Sequence, residues 1–249
     1  LSYRENIPTS WAKTSLLSVK PMAGEMWNAF YDRKNLKFFF NWDQIREKTL
    51  YASSSPGIIL HELGHALLDS IRPDLWNYSA MFEVWAFHEA FGDIFARAGA
   101  ISHDEVLKQA LIDTDNDLSK ANLISGLAEQ FGRGVRKIPE GIPFSLREAT
   151  DFFAYKDPLS LPKTGNNNEL LQEVHSFSRV FSGMMYDFFV GIYREKLNSL
   201  NPFAAAKEAM SITLRYVIST AKYVAVRADF FDSYARCLLF VDFQEGQPY

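Results

Sequence analysis

Apolar residues fall at positions 170, 171, 174, 177, 181, 184, 188 and 192. Steps of three and four keep them on one face, so the pattern predicts a long amphipathic helix over about 169–197. Two more helices are predicted over 203–222 and 225–242. Upstream, residues 58–71 are apolar nearly all round, which predicts a buried helix. Ser53–Ser55, Pro56 and Gly57 form its start, since serine caps free N–H groups and proline suits the first turn. Pro73 lies just beyond its end. A second helix is predicted over about 80–99. Ser102 and Glu105 have the spacing of a capping box and open a third. Another is predicted over 117–131.

Before residue 57 the pattern turns irregular to β. "LKFFFNW" (36–42) is the best strand, and Pro8 and Pro21 break up the rest. Glycines and prolines between 132 and 143, and the stretch from Pro158 to Asn168, mark loops. The fold class is therefore α+β. A small N-terminal β-containing lobe (1–57) precedes a large, mainly α-helical lobe (58–249), and the two form one catalytic unit.

Composition narrows this little. With 249 residues, 47% hydrophobic and 22% charged, the chain is ordinary for a globular protein and long enough for a sizeable core. A formal charge of −4 predicts no nucleic-acid surface. No apolar run reaches the ~18 residues of a membrane span. The lone Cys237 excludes an internal disulfide and, in an apolar helix, reads as a core residue. No signal peptide is visible and the first residue is Leu1, which suggests a fragment or a processed form. The aromatic load, 15% with 21 Phe, points to thick helix packing or an apolar groove.

The candidate chemistry lies in "IILHELGHALLD" (58–69). Residues four apart share a helical face, so His61 and His65 can address one metal ion. Glu62 is about 100° round from His61, where it can reach a water instead. Two imidazoles holding Zn²⁺ beside a carboxylate base make the core of a metal-assisted hydrolase. Gly64 leaves room for another element to cross the helix closely. A third ligand is needed, and Glu83, His88 and Glu89 are the candidates. Glu89 stands out because Asp93 follows it by four and can reach a histidine's second nitrogen. Leu68 and Ile71 stand where a metzincin requires Gly and His.

"HELGHALLD" followed by "HEAFGDIFA" resembles the thermolysin family of zinc endopeptidases, within the gluzincins. "MWNAFYDRKNLKF" (26–38) is similar to that family's substrate edge, "FSLREATDFFAYKDP" (144–158) to its Leu-Arg segment, and "EVHSFSRVFSGMMYDFF" (173–189) to its catalytic Val-His segment. The 28 residues from Arg147 to His175 also suit it. The resemblance covers roughly 26 to 189. It implies that His61, His65 and Glu89 bind zinc, that Glu62 is the general base and proton shuttle, and that Asp93 orients His61. It further implies that His175 stabilises the oxyanion and that Arg147 binds a substrate carbonyl. Asn28 and the Ala29 backbone would hold an extended peptide or protein substrate, and Ile58 and Leu146 would line an apolar pocket for it. A secreted or periplasmic setting follows from the resemblance alone.

Three departures stand out. The connection between the two metal-binding helices is longer than the family's, and no aligned position carries its tyrosine; Tyr78 is the nearby substitute as second oxyanion donor. Gly57 and Ala100 stand where calcium-binding carboxylates belong, so calcium is not predicted. "DTDND" (113–117) opens like an EF-hand but has Leu118 and Ile124 where Gly and Glu belong, and reads as a helix N-cap turn. The front lobe is also shorter than the family's. The sequence expectation is a zinc metalloendopeptidase; the alternatives are an aminopeptidase of the same clan and a non-catalytic binding protein on a peptidase fold. "FGRGVRK" (131–137) reads as a surface loop.

Overall fold

A computed structural model describes residues 10–78, 80–127, 147–151, 153–166 and 169–246. Leu146, the 131–137 loop and the end of the helix predicted at 117–131 lie outside these residues. Among the described residues the fold is α+β, with six helices and several short strands.

Five of the seven described strands lie in the N-terminal part. β1 (Ser18–Lys20), β3 (Asn35–Phe38) and β2 (Ala29–Tyr31) form one sheet in that order, β1 parallel and β2 antiparallel to β3. Their alternation buries Tyr31, Leu36 and Phe38 against Ala52, Ile58 and Ala66, a small core. The turn between β2 and β3 is held by Asp32, whose Oδ1 accepts the Lys34 and Asn35 N–H groups at 3.1 and 2.7 Å while Arg33 takes φ +70°. The predicted 36–42 strand divides at Phe39. Its second half, β4 (Phe40–Asp43), leaves the sheet to pair with β5 (Lys48–Tyr51).

Helix α1 (Pro56–Ile71) starts as the sequence predicts. The Ser55 side chain accepts the Ile58 N–H at 3.4 Å, and Pro56 occupies the first turn. Asp69, fully buried on α1, receives Arg33 in a two-point ion pair (Nε–Oδ2 3.0 Å, Nη2–Oδ1 2.7 Å) and the Tyr31 hydroxyl at 3.0 Å. These contacts fasten the sheet to the helix.

α2 (Phe82–Ser102) is buried nearly all round and runs through the middle of the helical part. α3 (Asp104–Asp113), α4 (Val174–Lys196), α5 (Pro202–Tyr223) and α6 (Phe230–Gln244) complete it. Phe87 of α2, Phe181 of α4 and Phe230 and Tyr234 of α6 meet at its centre, with ring centroids 4.7–6.4 Å apart. The aromatic excess thus goes into helix packing here. Cys237 is half-buried against this core. Among the described residues no helix is long and apolar enough to cross a membrane.

Three local expectations are corrected. Ser102 does not cap α3: α2 continues through it, and its hydroxyl donates to the Gly99 carbonyl at 2.7 Å. "DTDND" ends a helix rather than starting one. Asp115 and Asn116 take positive φ, and the Asn116 N–H returns to the Leu111 carbonyl at 2.8 Å, closing α3. Residues 117–127 accordingly form turns and a two-residue strand, β6 (Gly126–Leu127), not a helix.

Candidate functional site

α1 and α2 cross where both carry glycine. A Cβ on Gly64 would lie 2.8 Å from the Gly92 Cα, and a Cβ on Gly92 would lie 2.7 Å from His61 Nδ1. Only hydrogen at both positions lets the helices come this close. The approach brings side chains of α1 and α2 onto one point. His61 Nε2 and His65 Nε2 are 3.1 Å apart, and the Glu89 carboxylate lies 3.4 Å from the first and 3.7 Å from the second. The three residues are buried, and their donor atoms lie within 4.8 Å of one another, so they could hold a metal ion.

The surrounding groups fix this arrangement. Asp93, one turn beyond Glu89 and fully buried, lies 2.9 Å from His61 Nδ1. A carboxylate there keeps the proton on Nδ1 and leaves the Nε2 lone pair for a metal. Arg147 reaches both acids, with Nη1 3.2 Å from Glu89 Oε2 and 3.2 Å from Asp93 Oδ1. It is delivered by β7 (Arg147–Glu148), which pairs with β6 across a long sequence separation. His175, in the first turn of α4, points Nε2 at Glu89 Oε2 from 3.3 Å, while its Nδ1 meets Glu173. Glu173 also accepts the His175 and Ser176 backbone N–H groups at 3.1 and 2.9 Å, so one residue caps α4 and turns the imidazole.

The electrostatics follow from burial and neighbours. Burial and Arg147 both disfavour the His61 cation, but the carboxylates of Asp93 and Glu89 outweigh them and lift its pKa to about 9. Burial drives His65 down to about 3. Glu89 stays well below the usual carboxylate range, because the imidazoles of His65, His61 and His175 overcome the cost of burial. Glu62 moves the other way. Burial raises its pKa, and the Glu89 charge adds to that.

These residues line a cleft of about 380 Å³. It brings together His61, Glu62, His65, Glu89, Asp93, Asn28, Ala29, Ile58, Arg147 and His175. Ala29 at the start of β2, the terminal strand of its sheet, and Asn28 just before it both line the cleft, and the Asn28 Oδ1 accepts the Ala29 N–H at 2.9 Å. Tyr78 is not among the lining residues and is 41% exposed on the 3-10 turn Leu75–Tyr78. That turn presents Trp76 to the cleft instead. Trp27, Phe30, Tyr31 and Trp85 also line it; only the overall aromatic excess in the sequence hinted at such walls.

The other two candidates for third ligand serve elsewhere. Glu83 is buried and accepts the Tyr155 hydroxyl and the Phe231 N–H, each at 2.7 Å, which ties the start of α6 to α2. It is a structural acceptor away from the metal-binding residues. His88 is fully buried among the rings of Trp85, Trp76 and His65, with centroids 5.1, 5.7 and 6.0 Å away. Burial holds its pKa down at about 4, so it packs as a neutral ring.

Comparison with known protein families, with curated proteins and with solved structures found no match to this chain.

Proposed function

We propose that the protein is a zinc-dependent metalloendopeptidase of the thermolysin-like kind, hydrolysing internal bonds of a peptide laid along β2. The observation that carries this reading is the convergence of His61, His65 and Glu89 with Glu62 beside them. Zinc bonds of about 2.0–2.1 Å in a tetrahedron set neighbouring donor atoms roughly 3.3 Å apart. The separations of 3.1, 3.4 and 3.7 Å suit that ion, and the donor set of two imidazoles and one carboxylate is that of a catalytic zinc site. When bound, zinc supplies Lewis acidity that polarises a carbonyl and lets water ionise near pH 7.

The chain's own residues do the rest. Glu62 accepts the proton of the attacking water on its carboxylate. Its burial, which favours the protonated form, suits it to hold that proton and pass it to the leaving amine. His175 Nε2, steadied from behind by Glu173, donates to the oxyanion that forms on the substrate. Arg147 holds Glu89 and Asp93 in register and has further N–H groups for a substrate carbonyl. Asn28 and the Ala29 backbone offer the polar edge along which an extended peptide binds.

An aminopeptidase needs a spare carboxylate for the substrate's amino terminus. Among the described residues, the carboxylates lining the cleft are Glu62, Glu89 and Asp93, and each already has a task in the zinc scheme. This favours internal cleavage.

The test is Glu62→Gln. It should keep the metal, measured by elemental analysis, and lose at least ~10²-fold in turnover of a chelator-sensitive peptide substrate. Near-native turnover by the variant would defeat the assignment.

A further inference from the structure

A groove of about 680 Å³ lies between α4, α6 and residues 151–155, and it shares no lining residue with the cleft. One face of α4 forms a wall. Val180, Gly183, Met184 and Asp187 follow at steps of three and four, so they share that face. Buried Phe181 and Phe231 lie at the bottom, while Tyr155 and Met184 are 52% and 40% exposed at the rim. Tyr155 is held in place, because its hydroxyl donates to buried Glu83 at 2.7 Å. The volume, the mostly apolar lining and the position between helices are those of a small-molecule site.

The charged lining has one sign. Asp151, Asp187 and Asp232 line the groove, and no lysine, arginine or histidine does. The neighbouring cations meet these carboxylates unequally. Arg236 donates to Asp232 at 2.7 Å, in an exposed pair. Arg179 stays 3.7 Å from Asp151. Its Nη2 donates to the Glu169 carbonyl and Ser176 Oγ at 2.7 and 3.0 Å, and its guanidinium lies 4.2 Å from the Phe153 ring centroid. Asp187 makes no hydrogen bond or ion pair among the described residues. Arg194 reaches it only through its field, since Nη2 donates to Ser119 at 2.9 Å. Burial accordingly raises the pKa of both Asp151 and Asp187.

An anion would meet only like charge here. A bare metal ion needs its ligands gathered, and among the described residues only His61, His65 and Glu89 gather closely enough. A neutral apolar molecule would cover the walls but leave Asp187 without a partner. We propose that this groove is a binding site for a small organic cation that joins an ammonium group to an aromatic or branched apolar body. The body packs on Phe181, Phe231 and Met184, and the ammonium donates to Asp187. The inference is independent of the peptidase reading, because binding is read at Met184 and not from turnover.

The full chain, with and without zinc, is labelled with ¹³C at its methionine methyls and titrated in NMR at pH 7. The probes are phenylbutylamine, phenylbutanol and phenylbutyrate, which share one body and are cationic, neutral and anionic. The amine should shift the Met184 methyl saturably, with a Kd at least about tenfold below the alcohol's, the gain of one hydrogen bond to a charge. The acid should bind more weakly still. Asp187→Asn should bring the amine's Kd to that of the alcohol, and Ala235→Trp, which fills the groove, should abolish binding of all three. Equal affinities for amine and alcohol, an amine Kd unchanged in Asp187→Asn, or shifts that spare Met184 would each overturn the proposal. A lysine-containing apolar peptide that binds the groove more than about tenfold tighter than the amine would assign it to a polypeptide partner, and so overturn it too.

Discussion

Gly92→Ala puts the geometry of the metal site under the most direct strain. The added Cβ would sit 2.7 Å from His61 Nδ1, 2.8 Å from its Cε1 and 3.0 Å from the His61 carbonyl oxygen. Non-bonded atoms settle at about 3.5–4.0 Å, so roughly 0.5–1 Å must be found. If the imidazole turns away, it leaves Asp93, now 2.9 Å from Nδ1. If the helices part instead, Glu89 recedes from both imidazoles. In either case the oriented ligand set is lost, and losing such an outer partner typically costs about 10–100-fold in metal affinity. Stability has two opposed terms. Alanine in a helix interior is favoured over glycine by about 0.5–1 kcal/mol, while overpacking costs about 1–3 kcal/mol. A net loss of about 1 kcal/mol is expected. Gly191→Ala is the control: it lies on α4 with nothing within 4 Å of its new Cβ, so it should gain about 0.5–1 kcal/mol and leave the metal alone. Competition against a chromophoric chelator reads the affinity, and urea unfolding of metal-free protein reads the stability. Native metal affinity in Gly92→Ala, with stability equal to or above the parent, would refute the argument that the helix crossing sets the site.

Other perturbations test other links. In the metal-free protein the His61 pKa is raised to about 9, and a metal takes only the neutral ring, so below pH 9 a proton must leave. Apparent affinity should therefore fall as pH drops from 9 to 6, by up to about tenfold per unit from this group; a flat profile there would contradict the Asp93–His61 coupling. Asp69→Ala strands Arg33 and the Tyr31 hydroxyl at the junction of sheet and α1, and should lower unfolding stability by about 3 kcal/mol. A loss under about 0.5 kcal/mol in urea would show that the sheet is fastened by packing alone. Glu173→Ala removes the α4 cap and should cost about 1 kcal/mol at pH 7. Burial opposes the Glu173 charge, but hydrogen bonds from His175 and the backbone hold its pKa near 2, below its unfolded value of about 4.3. Its stabilisation is therefore present above about pH 4.3 and is lost as pH falls towards 2, so native and variant unfolding curves should converge at low pH; a constant gap would mean the carboxylate charge is not what caps the helix.

Local pattern went a long way in this chain. Serine and proline before residue 57 started α1, the three-and-four spacing of apolar residues marked α4, and periodicity alone put His61 and His65 on one face and Glu89 with Asp93 on another. These are statements about one helix at a time, and the helical repeat is enough to make them. Local signals failed where two local structures competed for the same residues. Ser102 and Glu105 spell a capping box, yet packing carries α2 one turn further. Asp115 and Asn116 suit a left-handed helix end as well as a start, and only the neighbouring fold selects the end. The distance between the two helical faces is not local at all. It depends on Gly64 meeting Gly92, on β7 delivering Arg147 across a distant pairing, and on a connection that turns Trp76 rather than Tyr78 towards the cleft. The sequence by itself determined which donor atoms exist and which share a helix face, because helical geometry repeats every few residues. Only the tertiary structure decided which faces meet and which walls enclose them, because those outcomes depend on contacts between residues far apart in the chain.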